Sequence, residues 1–187
     1  MTKRLPFDFA QPSHIVAPQL IGCEFLVNGV GGIIVEVEAY DQSEPASHTF
    51  SGPSVRNASM FGAPGCAYVY RSYGIHWCLN FVCSPEGHGA GVLIRAIQPT
   101  HGLEIMRERR GVESEKLLCA GPGRVGQALE IVHAFNGRSL AQKPFQLLPA
   151  FAPIHVVSGP RIGISKAMDL PWRFGLAGSP FLSKPFR

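Results

Sequence analysis

The sequence contains no long apolar run and no paired-cysteine motif. None of its segments approaches the roughly 20 consecutive apolar residues of a membrane-spanning helix, and the basic start MTKRLPFDFAQPSH precedes no apolar run of signal-peptide length. Its five cysteines are odd in number and include no C-x-x-C pair, which argues against a disulfide framework or a zinc knuckle. We therefore expect a soluble, cytoplasmic protein with reduced thiols and no membrane association.

Familiar catalytic signatures are also missing. The seven histidines show no H-E-x-x-H spacing, so no metal site is predicted, and no G-x-S-x-G elbow nominates a serine nucleophile. Positions 121–126, GPGRVG, fit the dinucleotide pattern G-x-G-x-x-G, but the preceding SEKLLCA is a poor strand and no acidic residue lies between Glu130 and Asp169. A structural turn or a phosphate-facing helix start is the favoured interpretation, and a dinucleotide-binding oxidoreductase stays as an alternative.

The apolar and turn residues predict an α+β fold rich in strands. Hydrophobic residues make up 45% of the chain, and 21 glycines and 16 prolines are scattered between short apolar runs. Two hairpins are predicted: CEFLV with GIIVEVEAY around the Asn28-Gly29 turn, and CAYVYR with IHWCLNFVC around SYG. Further strands are predicted at GVLIRAIQP, FQLL, IHVV and RIGIS.

Three helices and one long ordered loop complete the prediction. The helices are Ser13 to about Leu20 with Ser13 as its cap, residues 102–111, and the segment GRVGQALEI. Residues 41–57 have little periodicity and are expected to form an ordered surface loop. Because no repeat or interdomain linker is visible, residues 1–187 are predicted to form a single domain. The net charge of +4 permits a polyanionic partner without requiring one.

Two glutamates in the strand GIIVEVEAY raise the question of function. Glu36 and Glu38 alternate onto one face with Tyr40, and a charge on an inward face is costly unless it is paired or used. All four tyrosines of the chain lie in one stretch of 34 positions, and on their own they could be ordinary strand residues: Tyr40, Tyr68, Tyr70 and Tyr73.

Their placement favours recognition of a flat ligand. Tyr68 and Tyr70 share one face of their strand, and if that face meets Glu38, a carboxylate lies beside stacked rings. Such a site suits a planar, electron-poor and possibly cationic ligand, such as an alkylated nucleobase. Tyr73 sits at the tip of the RSYGI turn, where an exposed ring suggests insertion into a partner.

Six ordered segments make the chain resemble the alkyladenine (3-methyladenine) DNA glycosylases of the mammalian and bacterial type. They are VEVEAYDQ, SHTFSGPSVRNASMF, YVYRSYGIHWCLNFV, GVLIRAIQP, GPGRVGQAL and SGPRIGISKAMDLPWRF, and together they cover most of positions 14–174. The resemblance implies one α+β domain around a curved antiparallel sheet with flanking helices and long loops. It also implies an enzyme without a metal or redox cofactor that acts on double-stranded DNA containing damaged purines, nucleoid-associated if bacterial. Because one aromatic patch is enough to engage DNA, we expect a monomer.

The resemblance assigns a role to each candidate residue. Glu38 is implied to be the general base that activates the attacking water, and Arg95 to help hold that water. The residues implied to bind the extruded base are Tyr40, His48, Tyr70 and Asn80, with Asn80 disfavouring the 2-amino group of guanine. Tyr73 is implied to fill the vacated space in the duplex. Structural alternatives remain for two of them, since Arg95 could simply pair a buried carboxylate and Asn80 could tie down a loop.

Three further expectations follow. Because no lysine lies within the aromatic segment of the sequence, we predict a monofunctional enzyme that leaves an abasic site. A catalytically inert, damage-recognising DNA-binding module is the nonenzymatic alternative. Residues from about 175 to 187 match nothing in the family pattern, and Arg173, Lys184 and Arg187 are expected to solvate a loose tail rather than to contact phosphate.

Overall fold

The fold is built on one antiparallel sheet of eight strands. The structure, a computed structural model, describes residues 5–186. The strands are β1 (Glu24–Val27), β2 (Val30–Asp41), β3 (Ala67–Ser72), β4 (His76–Val82), β5 (Ala90–His101), β6 (Phe145–Leu148), β7 (Val156–Gly159) and β8 (Arg173–Leu176). Six of them lie in the order β3-β4-β5-β2-β1-β6, while β8 pairs with both β2 and β7. With its flanking helices this architecture confirms the predicted α+β class and curved antiparallel sheet.

The central strand β2 has two different partners along one of its edges. Residues 30–33 pair with β1 across the Asn28-Gly29 turn, whereas Glu36, Val37 and Glu38 pair with β8. Its other edge pairs with β5 over nearly the whole length, with register shifts around Glu36. This arrangement places Glu38 between Leu93 of β5 and Arg173 of β8, in the interior of the sheet.

Four short α-helices cover the sheet: α1 (Ser13–Leu20), α2 (Leu103–Arg110), α3 (Glu115–Leu118) and α4 (Pro122–Ala128). Helix α1 has the predicted bounds, but the predicted cap is wrong, because Pro12 precedes the helix and the buried Ser13 hydroxyl has no hydrogen-bond partner among the described residues. The apolar faces of the helices and strands form one main core, in which Leu20, Phe25 and Phe81 are fully buried.

The glycines of GPGRVG have structural roles. The preceding element α3 is a helix, so the strand that a dinucleotide fold requires before the motif is not there. Gly121 adopts φ 140°, and a Cβ on Gly126 would lie 1.9 Å from the carbonyl oxygen of Trp77. Gly126 therefore lets α4 pack directly on the backbone of β4. Residues 122–126 of the motif form the start of α4, so of the two favoured interpretations the helix start is the one observed. The oxidoreductase alternative has no support.

One predicted strand is wrong. RIGIS forms a loop of bends, and the closing strand lies further on, at β8. All five cysteines are free thiols, and four of them are buried: Cys23, Cys78, Cys83 and Cys119. Among residues 5–186, no helix combines the length and the apolar character needed to cross a membrane.

Candidate active site

The carboxylate of Glu38 is fully buried and held by three donors. The phenol of Tyr40 donates to Oε2 at 2.8 Å, and Nη1 of Arg95 donates to the same oxygen at 3.3 Å. The backbone N–H of Ile162 donates to Oε1 at 2.6 Å. Glu38 and Tyr40 lie on β2 and Arg95 lies on the neighbouring β5, whereas Ile162 comes from the loop that was predicted to be a strand. Donors to the ionised form of a carboxylate stabilise its charge inside the protein.

Glu36 forms a second buried carboxylate site behind the first. It accepts hydrogen bonds from Nε of Arg95 at 3.1 Å and Nε of Arg173 at 2.8 Å. Ser183 adds its backbone N–H at 2.6 Å and its hydroxyl at 2.7 Å. The expectation of a loose tail is therefore wrong for Arg173, which is buried and pairs with Glu36. The segment around Ser183 packs against the same cluster, whereas Arg187 lies outside the described residues.

The four charges of this cluster balance, with Arg95 joining the two carboxylates. Burial acts to lower the pKa of Arg95, but the charges of Glu38 and Glu36 outweigh burial and raise it. Burial, and after it the charge of Glu38, raises the pKa of Tyr40 far above its ordinary value. Tyr40 is consequently a neutral phenol and can act as a hydrogen-bond donor. Buried ion pairs are costly unless their geometry is well satisfied, as it is here.

A cavity of about 680 Å³ opens in front of Glu38. The three residues that donate hydrogen bonds to Glu38, namely Tyr40, Arg95 and Ile162, all line this cavity. The carboxylate of Glu38 therefore lies directly behind the cavity lining. The volume is in the range of small-molecule sites. The other predicted base-binding residues also line it, and the lining includes Tyr40, His48, Tyr68, Tyr70, Asn80 and Arg95. The structure therefore brings the predicted catalytic and base-binding side chains together.

The aromatic rings that line this cavity pack against one another. Tyr68 and Tyr70 stack with ring centroids 5.5 Å apart and planes inclined by 22°, as their shared strand face predicted. His48 meets Tyr70 edge to face at 4.6 Å, and its Nδ1 lies 3.5 Å from the hydroxyl of Tyr68. Burial, and after it the charge of Arg56, lowers the pKa of His48. A neutral imidazole beside flat rings can accommodate a planar cationic ligand.

Asn80 lies on β4 and Tyr73 lies at the tip of the β3–β4 hairpin, and both line the cavity. Asn80 is buried, and its side-chain amide donates to the carbonyl oxygen of Tyr68 at 3.4 Å, so it both lines the cavity and joins β3 to β4. Tyr73 contributes to the rim from the tip of the β3–β4 hairpin, where its φ is 49° and its side chain is 91% exposed. The ring of Tyr73 therefore projects into solvent as predicted.

Sequence reasoning missed the loop that closes one side of the cavity. Residues 162–166 line the wall, and Arg161 anchors them by a bidentate pair with Glu44 at 2.6 and 3.0 Å. The guanidinium of Arg161 also lies 4.7 Å from the ring centre of Tyr40. Lys166 belongs to this wall, although its sequence position is remote from the tyrosines. Alternating apolar residues in RIGIS imitate a strand, which hid the loop.

Comparisons with known proteins agree with this geometry. Residues 7–180 match the family model described as methylpurine-DNA glycosylase. The chain belongs to the methylpurine-DNA glycosylase family. Within this family, a protein of Nitrosospira multiformis is 67% identical over 180 residues, covering 96% of this chain and 93% of that protein. It is provisionally named a 3-methyladenine DNA glycosylase.

Two further relatives carry the same provisional name. A protein of Rhodopseudomonas palustris strain BisB18 is 60% identical, covering 95% of this chain and 89% of its own length. That of Nitrobacter winogradskyi is 61% identical, covering 96% of this chain and 86% of its own length. The match to the family model includes every residue that lines the cavity in front of Glu38, the aromatic cavity, and it ends before Ser183, which completes the Glu36 cluster.

Proposed function

We propose that the protein is a monofunctional DNA glycosylase of base excision repair. Its substrates are alkylated or deaminated purines in double-stranded DNA, such as 3-methyladenine, and its product is an abasic site. Family membership and the relatives' names support this activity. The observation that carries it is the buried carboxylate of Glu38 directly behind a ring-lined cavity.

Recognition requires the damaged nucleotide to leave the duplex. Flipping costs a few kcal/mol and costs least for damaged or mispaired bases, which gives a first selection. The exposed ring of Tyr73 is positioned to occupy the vacated space and to slow return of the base. Inside the cavity, the stacked pair Tyr68 and Tyr70 and the edge of His48 offer flat surfaces. Stacking of a base on aromatic rings contributes about 1–3 kcal/mol.

The chemical step is hydrolysis at the sugar. Water attacks C1′, the bond from C1′ to the purine nitrogen breaks, and the purine leaves with the electron pair of that bond. Glu38 accepts the proton of the water and opposes the positive charge that develops on the sugar. Arg95 and Tyr40 fix the carboxylate, and Arg95 assists in holding the water. This scheme uses only side chains of the protein and no cofactor.

Asn80 is proposed to select among purines, and the lysines to take no covalent part. The side chain of Asn80 faces the cavity with its position fixed by Tyr68, so a 2-amino group of guanine would be disfavoured there. Among the described residues, Lys166 is the lysine that lines this cavity. If the enzyme is monofunctional, borohydride should trap no protein–DNA adduct. An adduct that forms with the unmodified protein and is lost in Lys166→Ala would show a lyase step instead.

Release of free base from DNA tests the proposal. A duplex with one 3-methyladenine or hypoxanthine is incubated with excess enzyme, and the released base is quantified. We expect free base together with a DNA strand that stays intact until alkali cleaves it at the abasic site. Binding of the duplex without release of base would favour the inert DNA-binding module. Because one chain supplies the whole cavity, we also propose that a monomer is active. The single-turnover rate should then be the same at every protein concentration that saturates the DNA.

Glu38→Gln tests the catalytic assignment within the same assay. The amide keeps the size of the side chain but cannot accept the proton, so we expect the single-turnover rate to fall by about 100-fold or more. Binding of damaged DNA should persist. Glu86→Gln is the matched control, because Glu86 is an exposed carboxylate outside the cavity lining, and it should cleave like the unmodified protein. An unchanged rate in Glu38→Gln would refute the role of Glu38.

A further inference from the structure

Arg161 lies behind Tyr40, on the side of the ring that faces away from the aromatic cavity. The central carbon of its guanidinium is 4.7 Å from the ring centre of Tyr40 and 5.6 Å from that of Trp172. Trp172 in turn stacks on His14, with ring planes inclined by 7°. Because the side chain of Arg161 is fully buried and lies outside the cavity lining, the ring of Tyr40 separates this cation from the cavity.

Hydrogen bonds hold the guanidinium of Arg161 in this position. Nη1 donates to Oε1 of Glu44 at 2.6 Å and to the carbonyl oxygen of Ala39 at 2.9 Å. Nη2 donates to Oε2 of Glu44 at 3.0 Å and to the carbonyl oxygen of Ala167 at 3.2 Å. These four bonds occupy both terminal nitrogens, so the guanidinium is fixed against the ring and is not available for a contact with DNA.

The charge of Arg161 is only partly compensated at the ring of Tyr40. Glu44 binds the terminal nitrogens and therefore lies beyond the edge of the guanidinium, whose central carbon lies over the ring. The buried Nε has no hydrogen-bond partner among the described residues. Burial and the charge of Glu38 raise the pKa of Tyr40, and the charge of Arg161 acts in the opposite direction. Tyr40 therefore experiences the cation behind it.

A cation on one face of an aromatic ring changes what the other face can bind. The face of such a ring is negative and attracts cations. A guanidinium on the hidden face already uses this attraction, and it repels a second positive charge that is separated from it only by the thickness of the ring. A neutral purine of the same shape stacks mainly through dispersion, so the guanidinium affects its binding much less.

We propose that Arg161 determines how the aromatic cavity distinguishes cationic from neutral purines, by weakening the binding of a cationic base on Tyr40. The inference rests on the proposed function, in which a flipped purine stacks on this ring. In DNA, 3-methyladenine is cationic, whereas hypoxanthine is neutral. Arg161 acts through Tyr40 without touching the base. It offsets the preference of the aromatic rings for cations and so keeps the cavity open to deaminated purines.

Two lesions of the same shape and different charge test this role. One duplex contains 3-methyladenine, and the other contains 3-methyl-3-deazaadenine, in which a carbon atom replaces the methylated ring nitrogen and removes the positive charge. Both lesions carry a 2′-fluorine, which slows hydrolysis. The measured quantity, called the charge preference, is the Kd of the neutral lesion divided by the Kd of the cationic one. Because both values come from the same variant, a loss of folded protein cancels in this ratio.

Three variants change the charges behind Tyr40. Arg161→Met/Glu44→Gln removes both charges, leaves no member of the pair buried and unpaired, and should raise the charge preference about 3-fold. Arg161→Met alone leaves Glu44 charged and should raise it about 10-fold. Glu44→Gln leaves Arg161 without its counterion and should lower it about 5-fold. If a single variant does not fold, the double variant decides.

Arg138→Met is the matched control. Arg138 also lies over an aromatic ring, that of Phe135, but neither residue lines the aromatic cavity. The control removes one guanidinium charge and should leave the charge preference unchanged.

Two results would overturn the role of Arg161. One is an unchanged charge preference in the double variant, which indicates that Arg161 only supports the fold of its loop. The other is a shift of both single variants in the same direction, which indicates a general disturbance of the cavity. Base release by the unmodified protein separates the hypotheses: release together with either result refutes the role of Arg161 alone, whereas absence of release refutes the proposed function.

Discussion

At the scale of single residues, buried charge explains why the sequence of β2 is informative. Glu36 and Glu38 stand out because carboxylates are rare inside an apolar strand, and the structure gives each of them a full set of donors. Their partners could not be read from the sequence. Arg95 is 57 positions from Glu38, and Ser183 is 147 positions from Glu36. A pattern of residue types predicts that a charge is compensated, but the fold decides by which group.

The protonation state of His48 gives a prediction at this scale. Burial and Arg56 together lower the pKa of His48, so the imidazole is neutral above that value and becomes cationic below it. Arg56→Gln removes the smaller cause and should raise the pKa toward its ordinary value near 6.5. A cationic imidazole repels a cationic 3-methyladenine. We therefore expect the acid fall of the single-turnover rate to move to higher pH in Arg56→Gln.

The pH profile of base release, from about pH 5 to 8, checks this shift. Hypoxanthine is uncharged, so its profile should move less than that of 3-methyladenine. Arg71→Gln is the control. It also removes one guanidinium charge, from strand β3, but the side chain of Arg71 does not lie against His48. An identical inflection in Arg56→Gln and in the unmodified protein would show that Arg56 does not tune His48.

At the scale of elements, local signals predicted most strands and helices, but they failed for segments whose conformation depends on tertiary contacts. The Asn28-Gly29 hairpin and α1 lie where turn residues and apolar spacing place them. RIGIS was mistaken for a strand because its alternation satisfies the strand pattern, whereas Arg161 and Ile162 make tertiary contacts that hold it as a loop. The motif GPGRVG imitates a cofactor loop for a similar reason: close packing also requires glycine.

The C-terminal segment around Ser183 lies beyond the residues that match the family model, and it gives a prediction about stability. Ser183→Ala removes the hydroxyl that donates to Glu36 and lies 3.4 Å from Nη2 of Arg95. Hydrogen bonds to buried charged groups contribute about 1.5–3 kcal/mol, so the free energy of unfolding should fall by about 2 kcal/mol. Urea titration monitored by circular dichroism measures it. Ser158→Ala, an exposed serine on β7, should leave the stability within about 0.5 kcal/mol.

The β3–β4 hairpin gives the opposite prediction, an effect on function without an effect on stability. Tyr73 is 91% exposed, so Tyr73→Ala should leave the free energy of unfolding unchanged while it weakens capture of the flipped base. We expect base release from duplex DNA to fall by about 10-fold, corresponding to about 1.4 kcal/mol. A lesion in single-stranded DNA should be much less affected. Phe151→Ala, at another 81% exposed ring, is the control and should change neither substrate.

At the scale of the whole molecule, the catalytic cluster ties distant parts of the chain into one unit. Strand β2 pairs with β8, Arg161 pairs with Glu44 across 117 positions, and Ser183 binds Glu36 across 147. Such contacts form only when most of the chain is folded. We therefore predict that residues 1–187 unfold as a single cooperative domain, with no separately stable C-terminal part.

The two tryptophans provide probes for this cooperativity. Trp77 lies on β4 beneath α4, and Trp172 precedes β8, where its ring stacks on His14 at 5.1 Å. In Trp172→Phe the fluorescence reports Trp77, and in Trp77→Phe it reports Trp172. In each variant the urea midpoint by fluorescence should coincide with the midpoint by far-ultraviolet circular dichroism. If Trp172 reports an earlier transition than the sheet as a whole, the C-terminal strands unfold as a separate unit and the single-domain prediction is wrong.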